Sequence, residues 1–407
     1  MQFSQGANPV RSKATNHSSI LRMIYYYGPL KRSDIAGMLG LTLPTITACV
    51  NKMIAAGIVH EVDGAVSGYL GRKAHLIDIN ADARYFLGVE MRGTRRAVCI
   101  TDYRGSVLYQ LEDETPYEDY NQNIQAACGM ILETVEKGGL KLDQIARIGF
   151  CTPGLVDRES GYLGIHPGYN WANKNLRGDI AALTGYRGPI EVENNSCARA
   201  TAAQMFQRDL LNNVPTFAYL FVASGIACPF VLNTSISMGS IVGAGEIGHM
   251  VMNPSGPLCV CGNHGCLEAY SGDHVIISAC RELITSGTSS FLKKLCPSGS
   301  GLTMEMILEA QKQGDTKVRE IIQGAIFMLG LAIANIINFS GPQKMLIEGK
   351  LFQNPQNRTD LLDIVSQNLY NKIHTDTEFH FMDASSLSGA IGAAAVAISS
   401  DLESFTE

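Results

Sequence analysis

Three cysteines fall within eight residues, Cys259, Cys261 and Cys266, and His249 stands ten residues ahead of the first of them. One imidazole and three thiolates complete a closed tetrahedral set for a single structural zinc ion, and four protein ligands leave no position open for catalysis. Gly262 and Gly265 let so short a knuckle fold round an ion. The other eight cysteines are scattered singly, most in apolar settings where a cysteine acts as a small hydrophobe. An odd total of eleven, behind a first segment (MQFSQGANPVRSKATNHSS) with no apolar leader, predicts a reducing, cytoplasmic setting rather than a disulfide framework.

The 407 residues, 46% hydrophobic and 17% charged, suffice for two or three domains with buried cores. A net charge of −6 excludes wholesale coating of nucleic acid, but it hides an asymmetry: residues 1–80 carry eight Lys and Arg against four acids. A basic N-terminal module on an acidic body suits a DNA reader joined to a small-molecule domain. The most apolar stretch, residues 324–337, includes Asn335 and falls short of the roughly 20 residues a membrane span needs, so it reads as a buried helix.

Within residues 18–80, Ile20, Leu21, Ile24 and Tyr25 recur at helical spacing until Gly28-Pro29. A second short helix is predicted after Ser33 as its cap. Gly40 turns the chain, and a third helix capped by Thr42 runs to Ala56. A small residue (Ala36), a glycine four positions on and Ile46 ten positions on form the grammar of a helix-turn-helix. Ile46, Val50, Met53 and Ile54 are predicted to face inward, and Thr45, Ala48, Asn51 and Lys52 outward, toward base edges and phosphates of double-stranded DNA. Thr42, Pro44 and Thr47 complete this face. An alternating segment that bends at Gly64 and Gly68 reads as a two-stranded wing, ending in Gly71 and Lys73 with Arg72 between them, placed to enter a minor groove.

From Leu87 onward strands and helices alternate. The expected elements are a β-meander over 87–111, a helix over 122–136, strands at ARIGF and PIEVEN, and a helix over 196–206. A glycine-rich β segment follows over 217–252, then helices near 267–284, 304–340 and 358–372, a strand at 379–382 and a helix at 388–399. A domain boundary is placed at residue 80.

The segment GAGEIGHMVMNPSGPLCVCGNHGCLEAYSG, with ATNHSSILRMI, CTPGLVD and the final SGAIGAAA, resembles the ROK proteins, a group of repressors and sugar kinases. The resemblance implies an α/β fold in which a winged helix-turn-helix precedes a two-lobed, actin- or hexokinase-like (ribonuclease H-like) domain. Lobe one would hold about 81–200 plus 385–407, and lobe two about 201–384. It implies that the His249, Cys259, Cys261 and Cys266 set binds zinc, and that Gly154, Asn194, Asn195, Glu246, His249 and Glu268 contact sugar hydroxyls, for which carboxylates and amides offer paired donors and acceptors.

The kinase motifs are degraded. Glu90, Arg92 and Thr94 replace a D-x-G-x-T phosphate loop, putting a side chain where backbone amides approach phosphate. Ala223 to Ala227 replaces a second glycine loop, and Glu348 puts an acid where nucleotide would lie. Asn195 stands where the kinases carry their general base, and an amide cannot take that proton. The chain is therefore expected to be no enzyme but a sugar-sensing repressor that binds an inverted-repeat operator as a homodimer or dimer of dimers. The competing reading is an active sugar kinase with a DNA-binding appendage.

Overall fold

The computed structural model describes residues 9–63, 75–166, 168–212, 214–232, 235–236, 243–370 and 376–405. Three helices open the chain: α1 (Pro9–Tyr27), α2 (Arg32–Leu39) and α3 (Leu43–Ala55). The first begins nine residues before the predicted unit. Lys31, not Ser33, precedes α2 in extended conformation, and the Ser33 hydroxyl instead bonds to Asp34. Gly40 ends α2 at φ 64°, where a side chain would be strained. Thr42 caps α3 by accepting the Thr45 amide. Ile46, Cys49, Val50 and Met53 are buried and Ile54 is half-buried, as the periodicity requires. Strands β1 (Val59–Asp63) and β2 (His75–Ile79) pair antiparallel as the stem of a wing. Its tip, including Gly64, Gly68, Gly71, Arg72 and Lys73, lies outside the described residues.

Two larger sheets follow. The first contains β3 (Tyr85–Met91), β4 (Arg96–Thr101), β5 (Val107–Asp113), β6 (Ile145–Thr152) and, after a separate small sheet, β10 (Ile190–Asn194), in the order β10-β6-β3-β4-β5. The small antiparallel sheet is β7 (Leu155–Asp157), β8 (Tyr162–Ile165) and β9 (Ala172–Lys174). The second large sheet contains β11 (Thr216–Val222), β12 (Ile226–Ala227), β13 (Phe230–Leu232), β14 (Ser235–Ile236), β15 (Lys344–Gly349) and β16 (Glu378–Met382), in the order β14-β13-β11-β15-β16 with β12 also on β11. The two orders are the same pattern used twice. In each, leaving β12 aside, the first strand pairs antiparallel with the second and parallel with the fourth.

On the first sheet pack α4 (Tyr120–Lys137) and α5 (Leu176–Thr184), the latter and the β7–β9 sheet being elements the sequence reading did not foresee. Between the sheets runs α6 (Asn195–Phe206), followed by α7 (Arg208–Leu211). The second sheet is covered by α8 (Glu268–Ser271), α9 (Asp273–Thr285), α10 (Ser290–Leu295), α11 (Met304–Lys312), α12 (Thr316–Ser340) and α13 (Pro355–Asn368). The helix expected over 304–340 is two helices: Gly314 takes φ 89° and Asp315 caps α12 through the Lys317 and Val318 amides. The glycine-rich β segment does not reach 252; residues 247–249 form a 3-10 turn instead. By length and composition α12 is apolar enough to cross a membrane, but Ile322, Ile326, Leu329 and Ile333 are buried in the core of the second sheet.

The last helix, α14 (Ser388–Ser404), returns to the first sheet. Its small residues allow close approach: a Cβ on Gly88 would strike the Ala390 and Ala394 backbone, and one on Gly392 would strike the backbone of Ala198 on α6. The same helix meets α1, where the Ser18 hydroxyl donates to Leu402 O at 2.8 Å. Ile20, Leu21, Ile24 and Tyr25 of α1 share one hydrophobic cluster with Ala395, Ile398, Leu402, Phe86, Tyr103 and Met205.

Candidate functional site

A cavity of about 740 Å³ lies between the two large sheets. The strand end and α6 N-terminus supply Asn194 and Asn195, the β6–β7 turn supplies Gly154, and Glu246, His249 and Glu268 come from the opposite side. All six residues expected to contact sugar line it. Its far wall was not read from the sequence: His166, Tyr169 and Trp171 of the small sheet and its loop pack together, Tyr169 and Trp171 with ring centroids 4.9 Å apart. Such an apolar wall facing convergent polar groups is the usual form of a small-molecule site.

The polar groups are not equivalent. Asn194 caps α6: its Oδ1 accepts from the Ser196 amide at 2.8 Å, and its Nδ2 donates to Gly154 O at 2.9 Å and to Glu246 Oε1 at 3.1 Å. Its side chain therefore positions Glu246. Gly154 sits at φ 105°, where a side chain would be strained and would meet Ile165 O, so its residue type is dictated by the turn. Burial and the neighbouring Glu268 push the Glu246 carboxyl up to about 7, and burial pushes Glu268 up to about 7.

Beneath Asn195 lies a buried ionic cluster. Arg199, 3% exposed, donates to Glu90 at 2.9 and 3.2 Å, and its Nε lies 3.2 Å from Glu348 Oε2. Glu348 also accepts from the Tyr219 hydroxyl at 2.6 Å. Arg92 stands 3.4 Å from Glu90, and both guanidiniums flank the Phe221 ring, at 5.3 and 4.2 Å from its centroid. Burial works to raise the Glu90 pKa, but Arg199 and Arg92 outweigh it and hold the carboxyl at about 2. Asn195 joins the cluster by donating to Glu90 Oε1 at 3.4 Å, and its carbonyl accepts from Arg199 at 3.0 Å. Arg199 gave no local signal: it lies in an alanine-rich helix whose partners are 109 and 149 positions away in the chain.

On one side of the cavity, His249, Cys259, Cys261 and Cys266 bring their ligand atoms within 4.8 Å of one another, a group able to hold a metal ion. Cys259 Sγ lies 3.7 Å from His249 Nδ1, and Cys261 Sγ lies 3.7 Å from Cys266 Sγ, far beyond a disulfide bond. Bridges between Val251 and Cys266 and between Leu258 and His264 shape the knuckle, with Gly262 and Gly265 at φ 90° and 70°. Burial lowers the His249 pKa, favouring the neutral imidazole that binds metals.

At the N-terminal unit, Thr42, Pro44, Ala48, Asn51 and Lys52 are exposed along one face of α3, whereas Thr45 and Thr47 are half-buried. The Thr45 hydroxyl is 2.8 Å from that of Thr42, tying it to the helix cap. Asn51 Oδ1 accepts from Arg32 at 3.2 Å, and Arg32 is paired with Glu61 at 2.8 Å, so a residue on α2 orients Asn51.

Fold and site together define a two-lobed small-molecule-binding protein carrying a winged helix-turn-helix. The ROK family profile matches residues 86–400 and the MarR family profile residues 15–62. The chain belongs to the ROK family. It is 24% identical over 404 residues to the xylose repressor of Bacillus subtilis (strain 168), covering 97% of each chain. A crystal structure of a ROK family transcriptional regulator, homolog of the E. coli MLC protein, superposes with a TM-score of 0.79 at 25% identity over 97% of each chain. The ROK family glucokinase from Streptomyces griseus, in complex with glucose and AMPPNP, shares the fold of the C-terminal part. Its TM-score is 0.68 at 20% identity, over 77% of this chain and 99% of the other.

Proposed function

We propose that the chain is a sugar-responsive transcriptional repressor that acts in the cytoplasm, reading an operator with α3 and sensing a carbohydrate in the interlobe cavity. Residues 1–80 form the DNA-reading domain and 81–407 the sensor. One conjunction carries the reading: the cavity is lined by Asn195, Glu246, His249 and Glu268, while Glu90 and Glu348 are paired with Arg92 and Arg199 where phosphoryl transfer would need a nucleotide and a base. The likeness to the xylose repressor along the whole chain supports a sugar effector and operator DNA.

Glu246 and Glu268 accept or donate toward sugar hydroxyls, held in place by Asn194 and by the metal knuckle. A tetrahedral zinc with bonds of about 2.3 Å to sulfur has ligand edges near 3.8 Å, which the 3.7 Å Cys261–Cys266 spacing fits. With Nδ1 toward the ion, His249 keeps its Nε2–H for a ligand, so its two expected roles are compatible. On DNA, Thr42, Pro44, Thr45, Thr47, Ala48, Asn51 and Lys52 form the contact face, with Asn51 toward base edges and Lys52 toward phosphate, and Arg72 in the wing. The sugar acts through its different affinities for two arrangements of the lobes.

The test is calorimetry with D-xylose and D-glucose, paired with a coupled ADP-release assay on the same sample. A sugar should bind without ATP and remain unphosphorylated when ATP and magnesium are added. Sugar-dependent ADP release at about 1 s⁻¹ or faster would establish a kinase instead.

A further inference from the structure

Helix α6 runs from the cavity toward the DNA-reading unit. Its first residue, Asn195, lines the cavity. One turn on, Arg199 grips both large sheets at once, through Glu90 at the end of β3 and Glu348 at the end of β15. Along its length α6 is clamped to α14, with Gly392 against the Ala198 backbone. Its last turn reaches the cluster shared by α1, α14 and the first sheet: Met205 is buried there with Ile20, Leu21, Ile24 and Tyr25 of α1. Just beyond, the Arg208 guanidinium, steadied by Met205 O at 3.1 Å, lies 4.8 Å from the Tyr25 ring centroid and 5.9 Å from that of Tyr26. Arg104, from the β4–β5 turn, stands 5.6 Å from the same Tyr25 ring, donates to Tyr25 O at 3.1 Å and pairs with Asp78.

A helix of 12 residues spans about 18 Å, so α6 runs from the cavity floor to the cluster that contains α1, and the chain continues through the Gln207 cap to Arg208. The ionic cluster makes that element sensitive to the angle between lobes. Drawing Glu348 away from Arg199 would leave buried charges uncompensated, a change that typically costs several kcal/mol. Intermediate positions of α6 are therefore disfavoured, and the helix follows one lobe arrangement or the other.

We infer that α6 is the rod through which the lobe angle reaches the DNA-reading unit, with Arg199 as its grip on the lobes and Arg208, two residues past its end at the start of α7, carrying the contact to α1. The inference rests on the proposed sensor reading, which it supplies with a route.

Hydrogen–deuterium exchange on the full chain, with neither sugar nor DNA present, tests the route apart from the identity of any effector. Glu348→Gln keeps an acceptor for Tyr219 but releases Arg199 from the second lobe. Exchange should quicken about tenfold in residues 18–27 as well as in 195–206, local opening being what exchange reads. With Arg208→Gln already present, Glu348→Gln should still quicken 195–206 but add nothing at 18–27, and Arg208→Lys should restore part of the link. Glu90→Gln reads the same cluster from the first lobe and serves if Glu348→Gln does not fold. Quickening confined to the cavity, or effects of the two changes that simply add at 18–27, would overturn the inference. Failure to bind any sugar in calorimetry would instead remove the sensor reading and leave this mechanical link standing.

Discussion

Glu246 titrates where a cell can reach it. Its carboxyl is raised from 4.5 to about 7 in the folded chain, chiefly by burial and then by Glu268, so folding takes up a proton. The associated stability is fully present below about pH 4.5 and is lost as pH rises through 7. Urea unfolding at a series of pH values should show this decline, and Glu246→Gln should flatten it; an unchanged slope would contradict the burial. At the metal knuckle, Cys261→Ser removes one thiolate from a set of four. Metal content should fall well below one equivalent per chain and the melting temperature by several degrees, because metal binding contributes to folding. The four metal-group residues were legible in the sequence because their spacing is local, whereas Glu246 was read only through the resemblance to ROK proteins. Asn194 and Gly154, read as ligand contacts, both line the cavity; beyond that reading, one caps a helix and orients Glu246 and the other sits in a turn that only glycine fits. The difference lies in three-dimensional neighbours that spacing does not encode.

At the scale of elements, α14 shows how a run of small residues becomes architecture. Gly389 faces the Glu90 carboxylate so closely that a Cβ there would land on it. Gly389→Ala should displace Glu90 from Arg199 and destabilise the chain by about 1–3 kcal/mol, the usual cost of overpacking. Denaturant titration measures it, and a loss much smaller than this would mean that the cluster yields easily. The sequence announced the helix-turn-helix, the β-meander and α4 through periodicity and turn residues. It did not announce the β7–β9 sheet, whose strands are three or four residues long, nor the break between α11 and α12 at Gly314 and Asp315, where a glycine and a capping acid interrupt an apolar pattern that otherwise runs on.

At the scale of the whole molecule, the dimer expected from the sequence can be tested at the end of α12. Phe339 is 94% exposed at the end of α12, Tyr370 80% and Phe327 49%. Phe339 and Tyr370 are neighbours, the Tyr370 amide donating to Asn338 Oδ1 at 3.0 Å, and we propose that this pair lies in the contact of a closed dimer. Phe339→Asp should leave the fold intact, shift sedimentation toward the monomer and weaken operator binding; a dimer that persists would move the interface elsewhere. The repeated sheet order was not visible in the sequence, because each copy is assembled from strands scattered over more than a hundred residues. The charge cluster at the cavity floor has a physiological meaning under the proposed function. A kinase reports sugar only while it has nucleotide to spend, so its output tracks the adenylate pool. Glu90, Glu348, Arg199 and Arg92 pair with one another at the cavity floor rather than with a bound phosphate. Under the proposed function, a sensor that spends no nucleotide would report carbohydrate independently of the adenylate pool.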